Sequence, residues 1–173
     1  AIRDVYKRQV CSDKTGTLTQ NRMTVEKVFY DKKLHDNSES ISENNPALLA
    51  MTLANDTKIE NGGDLLGDPT ETALIQFAFD QNIDVTDLLE KYKRIQEVPF
   101  DSERKLMSTV NKDGEQYFVA VKGAPDMLLQ RVTRIENGGQ VEPITDKQKQ
   151  NILAQNKQMA QQALRVLGLA YKK

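Results

Sequence analysis

Two stretches of alternating character flank Asp113-Gly114 and constrain the fold more than any other feature of the chain. Leu106, Ser108 and Val110 interleave with Met107 and Thr109 before the turn, and residues 117–121 return after it. Asp-Gly supplies the positive φ angles that a tight hairpin turn needs, so the pattern predicts an antiparallel pair over 105–111 and 115–121. A sheet begun this way must cover a face with other elements.

The rest of the sequence offers those elements. Ala47, Leu48, Ala50, Met51 and Ala54 have helical spacing behind Pro46, predicting a helix to about Asn55. Gly67-Asp68-Pro69-Thr70-Glu71 reads as a complete helix start, with Asp68 as N-cap, Pro69 in the first turn and Glu71 as capping-box partner. Ala73, Leu74, Phe77 and Ala78 carry that helix to about Gln81, and a shorter helix follows over 86–92. Ile95 and Val98 lead as a strand into Pro99-Phe100, and Ala124-Pro125 opens a short helix. A second hairpin turns at Asn137-Gly138-Gly139. Thr145 caps a long helix whose inner face is Ile152, Leu153, Met159, Ala160 and Ala163, and 165–171 reads as a final buried strand. Met23, Val25, Val28 and Phe29 suggest a strand near the start, whereas 35–45, rich in Ser, Asn, Asp and Glu, reads as an exposed loop with His35 solvated. The sum is an α+β domain, an antiparallel β-sheet flanked by helices.

Charge and composition narrow what such a domain can bind. The 24 Lys+Arg against 25 Asp+Glu leave no overall field to draw nucleic acid or an anionic membrane, so any anion site is local. One cysteine and one histidine argue against a disulfide framework or a Cys/His metal site. No apolar run reaches the roughly 18 to 20 residues of a membrane span.

The strongest chemical signal is Cys11-Ser12-Asp13-Lys14-Thr15-Gly16-Thr17-Leu18-Thr19. Asp13 is a competent nucleophile toward a phosphoryl group when Mg²⁺ and cations neutralise the developing charge, and the hydroxyls and N–H groups that follow can ring a phosphate. From Asp13 to Thr19 the stretch resembles, letter for letter, the phosphorylation loop of P-type cation-transporting ATPases. The resemblance implies that Asp13 is phosphorylated and dephosphorylated, that Lys14 contacts the phosphate, and that Asp13 and Thr15 help hold Mg²⁺. Related phosphatases carry a second Asp two positions on as acid and base; Thr15 stands there and activates water poorly. A long-lived phosphoenzyme is the expected consequence.

Three further stretches resemble the nucleotide-binding domain of the same pumps, in the family's order: 67–74, 99–107 and 121–126. The resemblance implies that Phe100 stacks on adenine, that Glu71 accepts from its amino group, and that Lys122 lines the pocket floor. Gly123 would let the base or ribose approach the backbone, with Lys105, Met107 and Arg165 as second-rank neighbours. The family's arginine-rich segment after the Phe reads Asp101-Ser102-Glu103-Arg104 here, one positive charge short. Taken singly, Phe100 fits a core position, Glu71 a capping box, Lys122 a solvated strand end and Arg165 a cap on a sheet edge. Their joint order behind Asp13 favours the nucleotide reading.

Residues 1–9 depart from the family pattern and are expected to be a junction segment, with 10–23 a fragment of an α/β phosphorylation domain and 24–173 the nucleotide-binding domain. The expected partners are ATP, Mg²⁺ and the remaining phosphorylation, actuator and membrane domains of one pump, with no direct membrane contact by this part. The family's later Thr-Gly-Asp and Gly-Asp-Gly-x-Asn-Asp segments are not found between Met23 and Lys173. Weak ATP binding without turnover is therefore expected of the isolated chain, with residues 1 to about 22 disordered or abnormally packed. Calcium is the first choice of ion and a bacterial plasma membrane the expected setting. The alternatives are a non-catalytic interaction module and a soluble aspartyl-phosphate phosphatase of the same superfamily.

Overall fold

The hairpin at Asp113-Gly114 forms the middle of a four-stranded antiparallel sheet. In the computed structural model, which describes residues 22–60 and 62–173, strands β6 (Leu106–Asp113) and β7 (Gln116–Gly123) pair from Leu106↔Gly123 to Asp113↔Gln116. β5 (Arg94–Asp101) flanks β6 and β10 (Gly168–Lys172) flanks β7, giving the order β10-β7-β6-β5. Small hairpins surround the sheet: β1 (Lys27–Tyr30) with β2 (Lys33–Asp36), β3 (Lys58–Ile59) with β4 (Leu65–Leu66), and β8 (Arg134–Asn137) with β9 (Gln140–Pro143).

Helix α1 (Pro46–Leu53) is buried from Leu48 through Leu53, because it lies between the sheet and helix α2 (Pro69–Asp80). A helix enclosed this way is apolar around its whole girth, not along one stripe. One cluster joins Leu48 and Met51 to Leu74, Ile75 and Phe77 of α2. A second joins Leu49 and Leu53 to Phe118 and Ala120 of β7 and to Leu88 and Tyr92, around helix α3 (Val85–Lys91). Phe118 anchors this second cluster, stacked on Tyr171 at 5.4 Å and edge-on to Tyr92 at 6.0 Å. The short helix α4 (Pro125–Leu129) follows β7 directly.

Three expectations change. His35 is not a solvated loop residue: it lies on β2, its ring is stacked on Tyr30 at 4.0 Å, and its Nδ1 is 2.8 Å from Glu39. Ile41, inside the same polar stretch, is buried. The long helix α5 (Asp146–Gln161) buries no residue. Ile152 and Met159 are half-buried while Leu153, Ala160 and Ala163 face solvent, and Ala163 lies beyond the helix at φ 60°. α5 stands off the sheet across a cavity of about 1530 Å³, bounded by Leu106, Ser108, Val119 and Val121 on one side and by Ile152 and Met159 on the other. The last strand starts only at Gly168 and is half-buried, which leaves Arg165 ahead of it.

Candidate functional site

Strand alternation sorts the sheet into two faces. Met107 pairs with Lys122, Thr109 with Ala120, and Lys122 in turn with Leu169, so these side chains share the face packed by α1. In β5 Val98 stands opposite Ser108 and Asp101 opposite Leu106, so Pro99 and Phe100 fall in a register shift beside Met107. Met107 and Lys122 are thus cross-strand neighbours, with Phe100 in the irregular stretch of β5 that flanks β6.

The three differ sharply in exposure. Phe100 is 64% exposed, Met107 2% and Lys122 6%. The Phe100 ring is thus presented to solvent, not spent on the core, and Lys122 is far from a solvated strand end. A buried ammonium needs an anionic partner. Glu71 provides it from the first turn of α2, with Oε1 2.7 Å from Lys122 Nζ.

Glu71 does not complete a capping box. Asp68 caps α2 by accepting from Thr70 N–H at 2.8 Å, while the Glu71 carboxylate turns away toward the sheet. Its Oε2 accepts from the backbone N–H of Asp56 at 3.0 Å. Both carboxylate oxygens are therefore fixed by groups distant in sequence, which the local Asp-Pro-Thr-Glu pattern could not reveal.

Arg165 and Thr70 line the cavity of about 1530 Å³, not the Glu71–Lys122 pair. Arg165 Nη1 donates to Thr70 Oγ1 at 2.8 Å, so it stands one residue along α2 from Glu71 and does not cap a sheet edge. Thr70 is a contact that sequence reading missed. Arg104 is committed elsewhere: its Nη2 donates to the carbonyls of Val98, Pro99 and Leu106, closing the β5–β6 turn. Lys105 is exposed at φ 54° in that turn. The space beside Gly123 is taken by the chain itself, since a Cβ there would lie 2.1 Å from the Lys105 carbonyl and 2.8 Å from Leu106 Cα. Its missing side chain serves the close approach of β6 and β7.

Arg94, at the start of β5, organises the neighbouring loop. It donates to Asp56 Oδ1 and Glu97 Oε2, both at 2.7 Å, and to the carbonyls of Leu53 and Asn55. Burial works against its charge, but the hydrogen bonds to Asp56 and Glu97 outweigh burial and hold its pKa above the usual range. A cavity of about 470 Å³ opens beside this loop, lined in part by Asn55, Asp56 and Arg94. Neither this cavity nor the larger one is lined by Glu71, Phe100, Met107 or Lys122, which form a shelf where Phe100 is exposed and Met107 and Lys122 are covered.

Chemically this group offers an exposed aromatic ring and a carboxylate fixed by a buried ammonium. Asp13, Lys14 and Thr15 lie outside the described residues. Among the described residues no group of three His, Cys, Asp or Glu could hold a metal ion, and no helix is long and apolar enough to cross a membrane.

A family model described as P-type ATPase, cytoplasmic domain N, matches residues 44–173. A protein named calcium-transporting ATPase 1 from Lactococcus lactis is 45% identical over 165 residues, covering 94% of this chain and 19% of its own length. Its namesake from Bacillus cereus is 45% identical over 168 residues, with coverage of 94% and 19%. A Listeria monocytogenes calcium-transporting ATPase is 40% identical over 169 residues, covering 95% of this chain and 19% of its own length. The chain therefore spans about a fifth of the length of these relatives.

Proposed function

The chain belongs to the P-type ATPases, matching their cytoplasmic domain N, and on that premise we propose that the shelf of Phe100, Glu71 and Lys122 binds the adenine of ATP. The observation that carries this reading is an ion pair of buried Lys122 with half-buried Glu71, beside a sheet whose next strand but one carries the solvent-facing Phe100 ring. An exposed aromatic ring is free to stack, and a purine offers a matching face. Glu71 keeps lone pairs beside its two existing contacts and accepts from the adenine amino group. Lys122 holds that carboxylate and lines the floor, with Met107 filling the interval between it and the ring. Arg165, tied to Thr70 at the start of α2, and exposed Lys105 in the β5–β6 turn are the second-rank cations of this reading. Gly123 contributes by keeping β6 and β7 close.

In the complete pump, 24–173 is the nucleotide-binding domain and presents ATP to Asp13, within the phosphorylation-domain fragment 10–23. ATP would supply the phosphoryl group, and Asp13 and Thr15 would hold a Mg²⁺ that would neutralise its charge. Lys14 contacts the phosphate, and with Thr15 in place of an acid/base Asp the acyl phosphate persists long enough to be coupled to transport. Calcium is the proposed ion, from the names of the bacterial relatives. The remaining partners are the phosphorylation, actuator and membrane domains of the same protein, and the domain faces the cytoplasm.

A titration of the ¹⁵N-labelled 173-residue chain with ATP tests the site. Amide shifts clustered at Glu71, Phe100, Met107 and Lys122 are expected; shifts confined to Val119, Val121, Ile152 and Met159, which line the 1530 Å³ cavity, would refute it.

A further inference from the structure

The turn that follows α1 is built around Glu71. Asn55 is buried, and its Nδ2 donates to the Glu71 carbonyl at 3.0 Å and to the Met51 carbonyl at 3.3 Å, while its Oδ1 accepts from Thr57 N–H at 2.9 Å. With the turn so fixed, the next N–H, that of Asp56, meets Glu71 Oε2. Arg94 locks the outside of the same turn through the Asp56 carboxylate and the Leu53 and Asn55 carbonyls. Left to its local sequence, a Glu three residues after an Asp N-cap folds back onto the cap. Here it is drawn off by one N–H and one ammonium.

We infer that Asn55 and Arg94 are positioning residues for base recognition: they hold the Asp56 N–H where it keeps Glu71 out of the capping-box rotamer and turned toward the ligand. The inference rests on the reading of Glu71 as acceptor for the adenine amino group. Loosening the turn frees Glu71 to swing back to Asp68, and the shelf loses its acceptor while the Phe100 face and the cations remain. Discrimination between bases falls, and affinity for the rest of the nucleotide does not.

The test compares ATP with inosine triphosphate, which carries a carbonyl where adenine has its amino group, by calorimetry on the 173-residue chain. Wild type should prefer ATP about tenfold, the scale of one hydrogen bond to a charged acceptor. Arg94→Gln and Asn55→Asp should each bring the two nucleotides close to parity by weakening ATP alone. A wild type with no preference would overturn the adenine reading itself. A preference that survives in both variants, or an equal loss for both nucleotides, would overturn the positioning role while leaving that reading intact. Should either variant fail to fold, the Asp56 amide resonance of wild type decides: movement with ATP and not with inosine triphosphate is expected, and equal or no movement overturns the inference.

Discussion

Lys122 and Glu71 show how far single residues can mislead when read alone. A lysine at a strand end and a glutamate three places after an Asp N-cap both have ordinary local explanations, and the fold uses neither. What the sequence lacks is any mark of the 51-residue separation that brings them to 2.7 Å. Phe100 was legible in a different way: its neighbours name a family role, and only the fold shows that the ring is free. Removing one partner of a buried pair strands the other charge, so Lys122→Met should cost about 3 kcal/mol in urea unfolding. Replacing both, with Glu71→Leu added, should recover most of that loss. Tyr171 gives a second residue-scale expectation. Burial, then its hydrogen bond to Glu136, pushes its pKa up from 10.0 to about 12. The folded state thus favours the phenol form, and this contribution is complete below pH 10 and lost as pH climbs toward 12. Absorbance titration should show one tyrosine ionising last, and Tyr171→Phe should remove that step.

At the scale of elements, the sequence predicted well wherever local chemistry decides. The Asp113-Gly114 hairpin, the Pro46 and Pro69 helix starts and the Thr145 cap all form where turn and cap residues place them. It predicted less well where a neighbour decides. α1 has no solvent face because the sheet and α2 enclose it, and α5 has no buried face because the cavity separates it from the sheet. β2 hides inside a polar run, since one stacked histidine and a two-residue turn leave little periodic signal. Gly123 joins element to site. Gly123→Ala places a methyl against the Lys105 carbonyl and must push β6 from β7 at Met107 and Lys122. A thermal midpoint many degrees lower and weakened nucleotide binding should appear together; an unchanged midpoint would show that the strands have room.

Across the whole molecule, the sheet works as a ruler. The β6–β7 register sets a thioether beside an ammonium, and α2 and the 55–57 turn bring the carboxylate to that ammonium. Family and fold class were legible from motifs that keep their order along the chain, and the match over 44–173 agrees. The arrangement of the shelf was not, because it depends on register, burial and contacts between α2, β7 and the turn after α1. The most direct measurement is a calorimetric titration of ATP into Phe100→Ala beside wild type, with thermal unfolding of both. Since the ring is exposed, the account predicts a midpoint within a degree or two of wild type and ATP affinity lower by about tenfold. Undiminished affinity in a folded Phe100→Ala protein would contradict it.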